Sequence, residues 1–534
     1  DQSMKDKIKL TENLFGEFPE VSASEWKAEI AKDLKGGDIG KLDWKPYEGF
    51  AVRPFYTEED LDAVGYLTEQ YPGGFPYARG NESGGNDWKI DECIISGSVK
   101  EANRLALKSL GMGAQSLTIV CEAGDGYIYG VPVESARDMS ALLKDVPIGE
   151  VPVHFMCGRG SAGILALYAI EAEKRGLDKK RLSGSVDADP LKFLALGGSF
   201  PGDERETFEE LRSMISYLEN NMPCYRALEV SGHHFHDSGA SAVQEIAFTL
   251  SAGVEYLDRL TSLDMSVDRI TSHMSFSFCI GSSYFMEIAK LRAARLLWSS
   301  IVEAYGARKE LAEKMSIKTR TSSWNKTVFD PYVNMLRGTV EAMAAAIGGC
   351  ESLSVLPLDS VYERPGEFTR RLARNTQLIL KNESYLDRVT DPAGGSYYIE
   401  RLTDSLADSA WELFRKVESM GGLVDALRAG FIQEEIERTR DERDRDLASG
   451  KAVLLGTNQY PDLREKGPKK TGNAIPKKPL RAGSERHVGE FSIGDHIAYL
   501  KGKRSFIGDL LTDENGKPGP EIEPLRPYRG GEPF

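Results

Sequence analysis

The stretch "RITSHMSFSFC" (269–279), followed at once by "YFMEIAKLRAARLLWSSIVEAYG" (284–306), decides the fold. The first is short and alternating, with His273, Ser275 and Ser277 on one face and apolar residues between them, as a β-strand requires. The second is a long helical pattern. The same unit recurs along the chain. "IDECIIS" precedes "VKEANRLALKSLGMG", which stops at Gly111 and Gly113, and "SLTIVCEA" precedes the helix around "ESARDMSALLKDV". "VPVHFMCG", "RLSGSVDAD", "YRALEVSGHHFH", "SIKTRTSS" and "SLSVLPL" are each followed by a helical segment as well. Eight strand–helix units in roughly three hundred residues are the content of a (β/α)8 barrel. An open doubly wound sheet would need a Gly-rich phosphate turn after its first strand, and none is present. The expected fold is therefore α/β, a (β/α)8 TIM barrel with an N-terminal helical arm and a C-terminal helical and extended extension.

The bulk numbers narrow the function. The 534 residues exceed one ordinary core, and the net charge of −15 argues against nucleic acid or an anionic membrane as the main partner. No apolar run is long enough to span a bilayer, and "DQSMKDKIKL" has no signal-peptide core. Cys93, Cys121, Cys157, Cys224, Cys279 and Cys350 are scattered without a C-x-x-C, as in a reducing, cytoplasmic setting. The domain reading is an arm over 1–89, the barrel over 90–400, a helical extension over 401–455 and a linker-like tail over 456–534. In the arm, Thr57 and Asp60 have the spacing of a capping box. The basic, Pro/Gly-rich tail reads as a solvated connector leading to a further domain.

Two features point to a site. Ser183, Ser185 and Asp187, then Ser275 and Ser277, then Ser352 and Ser354, recur at alternate strand positions, so the lumen is expected to carry small polar groups and to be wet or threaded by an extended polar ligand. "SGHHFHDSG" (231–239) holds His233, His234 and His236. As a strand end it would put His234 and His236 on one face, a possible half of a metal site. The alternatives are a proton-transfer site, its remnant, or a polar strand end.

Several strings resemble the methylmalonyl-CoA mutase family of adenosylcobalamin-dependent acyl-CoA mutases. They are "ARNTQLILKNESYLDRVTDPAGGSYYIE" (373–400), "FMEIAKLRAARLLW" (285–298), "DPYVNMLRGTVEAMAAAIGG" (330–349) and "SGASAVQEIAFTLSAGVEYL" (238–257), with "RPFYTEEDL" and "YPGGFPYARG" nearer the start. The resemblance implies a barrel that passes an acyl-CoA along its axis and, in catalytic chains, a C-terminal corrinoid domain with a D-x-H-x-x-G motif. That motif is absent, and Asp495-His496 lacks its spacing. Relative to the family pattern, "NESGGNDWKIDEC" after Arg79-Gly80 lacks a substrate-gripping tyrosine and brings Asp91 near an expected arginine. Asp187 stands for a glutamine, "LALGGS" lacks the carboxylate-binding arginine, and Val328-Phe329 stand for Glu-Gln. His233 replaces a tyrosine, His234 is kept and His236 replaces a glutamine.

The resemblance implies a small, catalytically silent subunit that pairs with a catalytic large subunit. The heterodimer would interconvert methylmalonyl-CoA and succinyl-CoA in propionate metabolism. Adenosylcobalamin would enter through the partner and none would bind this chain, no site residue would be catalytic beyond the vestigial candidates His234 and Ser275, and the isolated chain would self-associate. Two rivals remain: an active acyl-CoA mutase barrel that uses a separate cobalamin-binding chain, and a metal hydrolase built on His154, His234, His236 and His273.

Overall fold

The computed structural model describes residues 21–121, 130–200, 202–308, 314–465 and 521–529, with positions 493 and 497. Its sheet comprises β1 (Lys89–Ile94), β2 (Ser116–Val120), β3 (Val153–Met156), β4 (Gly184–Val186), β5 (Tyr225–Arg226), β6 (Leu228–Ser231), β7 (Met274–Ile280), β8 (Ile317–Thr321) and β9 (Ser352–Ser354). All pairs are parallel, in the order β5-β4-β3-β2-β1-β9-β8-β7-β6. Only Ala227 separates β5 from β6. Its N–H donates to the His273 carbonyl at 3.1 Å and its carbonyl accepts from Ala188 at 3.3 Å. The two pieces are one broken strand, bonded to β4 on one side and β7 on the other, and they close the ring of eight expected from the sequence.

The helices are α1 (Ala23–Asp33) and α2 (Gly65–Thr68) in the arm, then α3 (Val99–Gly111), α4 (Ala136–Leu142), α5 (Ser161–Lys174), α6 (Pro190–Gly197), α7 (Glu204–Asn221), α8 (His233–Asp237), α9 (Ala242–Thr261), α10 (Val267–Ser272), α11 (Tyr284–Ala304), α12 (Val333–Gly348) and α13 (Glu367–Asn382) around the barrel. Beyond it lie α14 (Tyr397–Ser419), α15 (Leu423–Arg428) and α16 (Phe431–Ala448). None of the described helices is long and apolar enough to cross a membrane. In the arm, the Asp60 carboxylate accepts from the Thr57 N–H at 2.8 Å, closing the expected box over a 3-10 turn.

Strand residues facing the helices are apolar and buried, among them Leu117, Ile119, Val153, Phe155, Phe276 and Phe278. β4 opens on Gly184 at φ +134°, where a Cβ would lie 2.0 Å from the Val153 carbonyl oxygen, so only glycine lets the strand come this close.

α11 is buried on nearly every side, which forces its charges into pairs. Arg292 bonds Asp391 and, at 2.6 Å, Glu400. Asp391 also takes Arg79 at 2.8 Å. Arg295 donates to the carbonyls of Tyr77 (3.1 Å), Gly348 (2.7 Å) and Gly349 (2.9 Å). These bonds bolt the arm, the end of α12 and the segment after α13 onto one helix.

Candidate functional site

The strand register places the polar positions on one face. Glu229 pairs with Ser275, Ser277 with Lys318, Lys318 with Ser352, Ser354 with Asp91, and His154 with both Thr118 and Ser185. This face lines the lumen. Lys318 starts on β8, yet its ammonium donates to Ser185 on β4 at 2.7 Å and also meets Glu229 on β6. β4 and β8 are not neighbours in the ring, so that side chain spans the interior. His154 Nδ1 lies 2.8 Å from the same Ser185 hydroxyl. Asp91 accepts from Ser116 at 2.5 Å and Thr118 at 2.8 Å.

Burial sets the charge states here. Desolvation pushes Asp91 up to about 6, more than its two hydroxyl donors pull it down. The same desolvation acts on Glu229, but the Lys318 charge outweighs it and holds that carboxyl below the ordinary range. His154 is driven well down by burial and then by Lys318, so it is neutral. The small polar lumen expected from the sequence is present, and an ion pair crosses it.

The histidine stretch departs from the strand-end reading. β6 stops at Ser231, and 233–237 form a helical turn, α8. Gly232 carries the chain into that turn through a gap where a Cβ would sit 2.5 Å from Thr249 Oγ1 and 2.9 Å from the Ser277 carbonyl oxygen. In a helical turn, residues two apart point to different sides, so His234 and His236 diverge. His233 Nδ1 turns to Ser231 (2.8 Å) and Ser277 (3.1 Å). His236 lies between Ser322 (2.7 Å from Nε2) and Glu245 (3.5 Å from Nδ1). His234 is buried with neither ring nitrogen hydrogen-bonded, and burial, then Lys192, lower it to about 3. His273 caps the end of α10, at the other end of the barrel, and bonds the Tyr225 carbonyl at 2.9 Å. The four histidines of the metal reading therefore have four separate environments. Among the described residues no His, Cys, Asp and Glu groups converge as a metal set.

Beside His234, Asp187 meets Lys192 at 2.9 Å, and burial raises its pKa. Asp189 caps α6 and accepts from Tyr256 (2.5 Å), Lys192 N (3.1 Å) and Ser231 N (3.0 Å). Burial, reinforced by Asp187, lifts it to about 7. Asp237 bonds Arg320 and takes Ser323 at 3.0 Å. Above this cluster runs 521–529. Ile522 and Leu525 donate to the Gly198 (2.9 Å) and Ala195 (2.7 Å) carbonyls, and Tyr528 N donates to Asp237 O at 2.6 Å.

Fit to a corrinoid can be judged on these residues. His233, His234 and His236 are buried, and the side chains of Val328 and Phe329 carry no polar atom. Val328 and Phe329 thus supply no side-chain hydrogen bond toward such a group. Asp495-His496 lies outside the described residues.

Ser275 lies fully buried on the lumen face, its hydroxyl 3.4 Å from the Leu228 carbonyl oxygen, away from His234. Lys318 and Glu229 are not among the residues that the sequence pattern marks. The signal for Lys318 was present, because alternation in "IKTRT" puts Lys318 and Arg320 on one face. For Glu229 the break at Ala227 hides the phase.

Comparison with known proteins follows the same lines. A family model described as methylmalonyl-CoA mutase matches residues 45–482. The chain is 39% identical over 462 residues to a methylmalonyl-CoA mutase small subunit from Porphyromonas gingivalis, covering 86% of this chain and 72% of that one. It is 34% identical over 452 residues to a methylmalonyl-CoA mutase from Cereibacter sphaeroides, covering 82% and 64%. It is 32% identical over 436 residues to the methylmalonyl-CoA mutase large subunit of Porphyromonas gingivalis, covering 78% and 61%. The chain thus spans under two thirds of the length of the latter two.

Proposed function

The chain belongs to the methylmalonyl-CoA mutase family, and from that premise we propose that it is the non-catalytic small subunit of a heterodimeric mutase. The holoenzyme interconverts methylmalonyl-CoA and succinyl-CoA. The large subunit carries the acyl-CoA and the adenosylcobalamin, which supplies the radical chemistry. The small subunit supplies a rigid barrel for the partner to pack on.

One observation carries this reading: the Lys318 ammonium reaches across the lumen to Ser185 and Glu229. An axial pantetheine arm would have to break a buried ion pair and leave Glu229 without its cation, which costs several kcal/mol. The side chains near the expected acyl end also disfavour a carboxylate. Asp187 replaces a neutral amide, and its Lys192 cation is already engaged.

Titration of the isolated chain with methylmalonyl-CoA tests this. No saturable heat up to millimolar ligand is expected; saturable micromolar binding overturns the reading. A second reading, the active barrel served by a separate cobalamin-binding chain, is favoured by His234, whose two buried ring nitrogens lack partners. Turnover of an acyl-CoA with adenosylcobalamin and such a chain, without the large subunit, would establish it.

A further inference from the structure

α12 presents small residues inward, with Ala342, Ala344, Ala345 and Ala346 all fully buried. Its outward side is unusual. The only exposed positions of the helix and its N-cap are Tyr332 (68%), Leu336 (59%) and Val340 (43%), and all three are apolar. A helix face meant for water carries charged or polar side chains. Spaced by four, these residues instead form one ridge, the row that interdigitates with the ridge of a second helix.

A loop extends the ridge. The Leu455 carbonyl accepts from Arg337 of α12 at 2.7 Å, and Glu465 accepts from the Asp330 N–H at 2.8 Å. These bonds seat 455–465 beside the first turns of α12. Within it, Tyr460 is 78% and Leu463 90% exposed. The loop is not slack. Asn458 accepts from Leu454 N at 2.7 Å and donates to the carbonyls of Leu447 (2.9 Å) and Ala452 (2.8 Å). Its apolar side chains are held outward in a fixed frame, which lowers the ordering cost of binding.

Taken together, the exposed parts of Tyr332, Leu336, Val340, Leu455, Tyr460 and Leu463 amount to on the order of 700 Å². That approaches the ~800 Å² of surface each partner contributes to a stable complex. We propose that the α12 ridge and the Asn458-stapled loop form the docking surface for the mutase large subunit, which lays an apolar helix across α12. This rests on the heterodimer reading above.

The test uses the full chain co-expressed with the large subunit of the same source. Leu336→Asp and Leu463→Asp, both at exposed positions, are expected to weaken the complex by at least about tenfold together, with the unfolding midpoint of the chain unchanged. A photo-crosslinking residue at position 336 is expected to capture the large subunit. If the wild-type pair forms and the double variant binds equally well, the docking surface is wrong and the heterodimer reading stands. Capture of a second copy of this chain, or of another part of the same chain, also overturns it. If the wild-type chains do not associate at micromolar concentration, both readings fall.

Discussion

Two buried ion networks sit on opposite sides of the strand layer, and they differ in where their residues come from. Outside the ring, Arg292, Arg295, Asp391 and Glu400 all fall within the strings that resemble the mutase family, "FMEIAKLRAARLLW" and "DPAGGSYYIE". Inside the ring, Asp91, Lys318 and Glu229 lie outside the strings quoted for that resemblance. The outer network fixes helices and arm to one another, whereas the inner one fills the space a ligand would need. The scaffold and the passage thus use buried ion pairs to different ends in one chain.

Removing one member of the outer network tests that division most severely. Arg292→Ala leaves Glu400, fully buried, without its cation and Asp391, 7% exposed, with Arg79 as its remaining partner. Stranding one buried carboxylate costs about 3–5 kcal/mol. Urea unfolding should show a loss of that size, large against the total stability of a domain. An unchanged midpoint would mean the network does not hold the scaffold.

The inner network should respond differently. Lys318→Met alone strands Glu229 and is expected to cost about 2–4 kcal/mol, but adding Glu229→Gln should recover most of it, because replacing both partners of a buried pair is close to neutral. The double variant also clears the axis. Weak saturable binding of a coenzyme A ester to it, absent in the parent chain, would show that the ion pair is what bars the lumen. Double-variant stability no better than the single would dissolve the distinction between the networks.

The outer scaffold was legible in the sequence because period-2 strands and long helical patterns repeat eight times, and no strand has to be inferred from contact. The polar lumen followed from the same alternation at Ser185, Ser275 and Ser352. What alternation could not show is side-chain reach: Lys318 meets Ser185 and Glu229 across the ring, and only closure of the ring brings them together. The histidine stretch was misphased because nothing local signals that β6 stops at Ser231. Gly232 turns there against Thr249 and Ser277, residues far along the chain that leave no room for a Cβ. The same holds for the tail. "EIEPLRPYR" has the composition of a connector, yet its Ile522 and Leu525 pack into the apolar cluster while their N–H groups bond the Gly198 and Ala195 carbonyls.

The two ends of the polar interior should also separate by pH. Asp91, at about 6 when folded against an ordinary 3.8, binds its proton more tightly in the folded state. Its favourable contribution is complete below pH ~4 and is lost as pH rises through 6. Asp91→Asn should therefore gain up to about 3 kcal/mol relative to the parent between pH 4 and 7.5. His234 runs the other way. Lowered to about 3 from 6.5, it stabilises fully above pH 6.5 and loses that contribution as pH falls toward 3. His234→Gln should flatten the acid limb. Unfolding midpoints across pH 3.5–7.5 check both, and parallel curves for the parent and both variants would contradict the two assignments.

The smallest effect belongs to the tail, which adds contacts to a barrel that is already closed. Leu525 is 5% exposed, and its N–H bonds the Ala195 carbonyl, so Leu525→Ala removes apolar contact while sparing that bond. Because the site lies near the surface and can partly collapse, a loss of about 1–2 kcal/mol is expected, at or below the low end for a core leucine. Any such loss should be local. Hydrogen exchange should quicken at Ile522, Leu525 and Tyr528, whose N–H groups bond Gly198, Ala195 and Asp237, while amides of β7 and α11 keep their protection. Faster exchange spreading into β7 would mean that the tail is part of the same cooperative unit as the barrel, and the contrast between a fixed scaffold and an added cover would have to be abandoned.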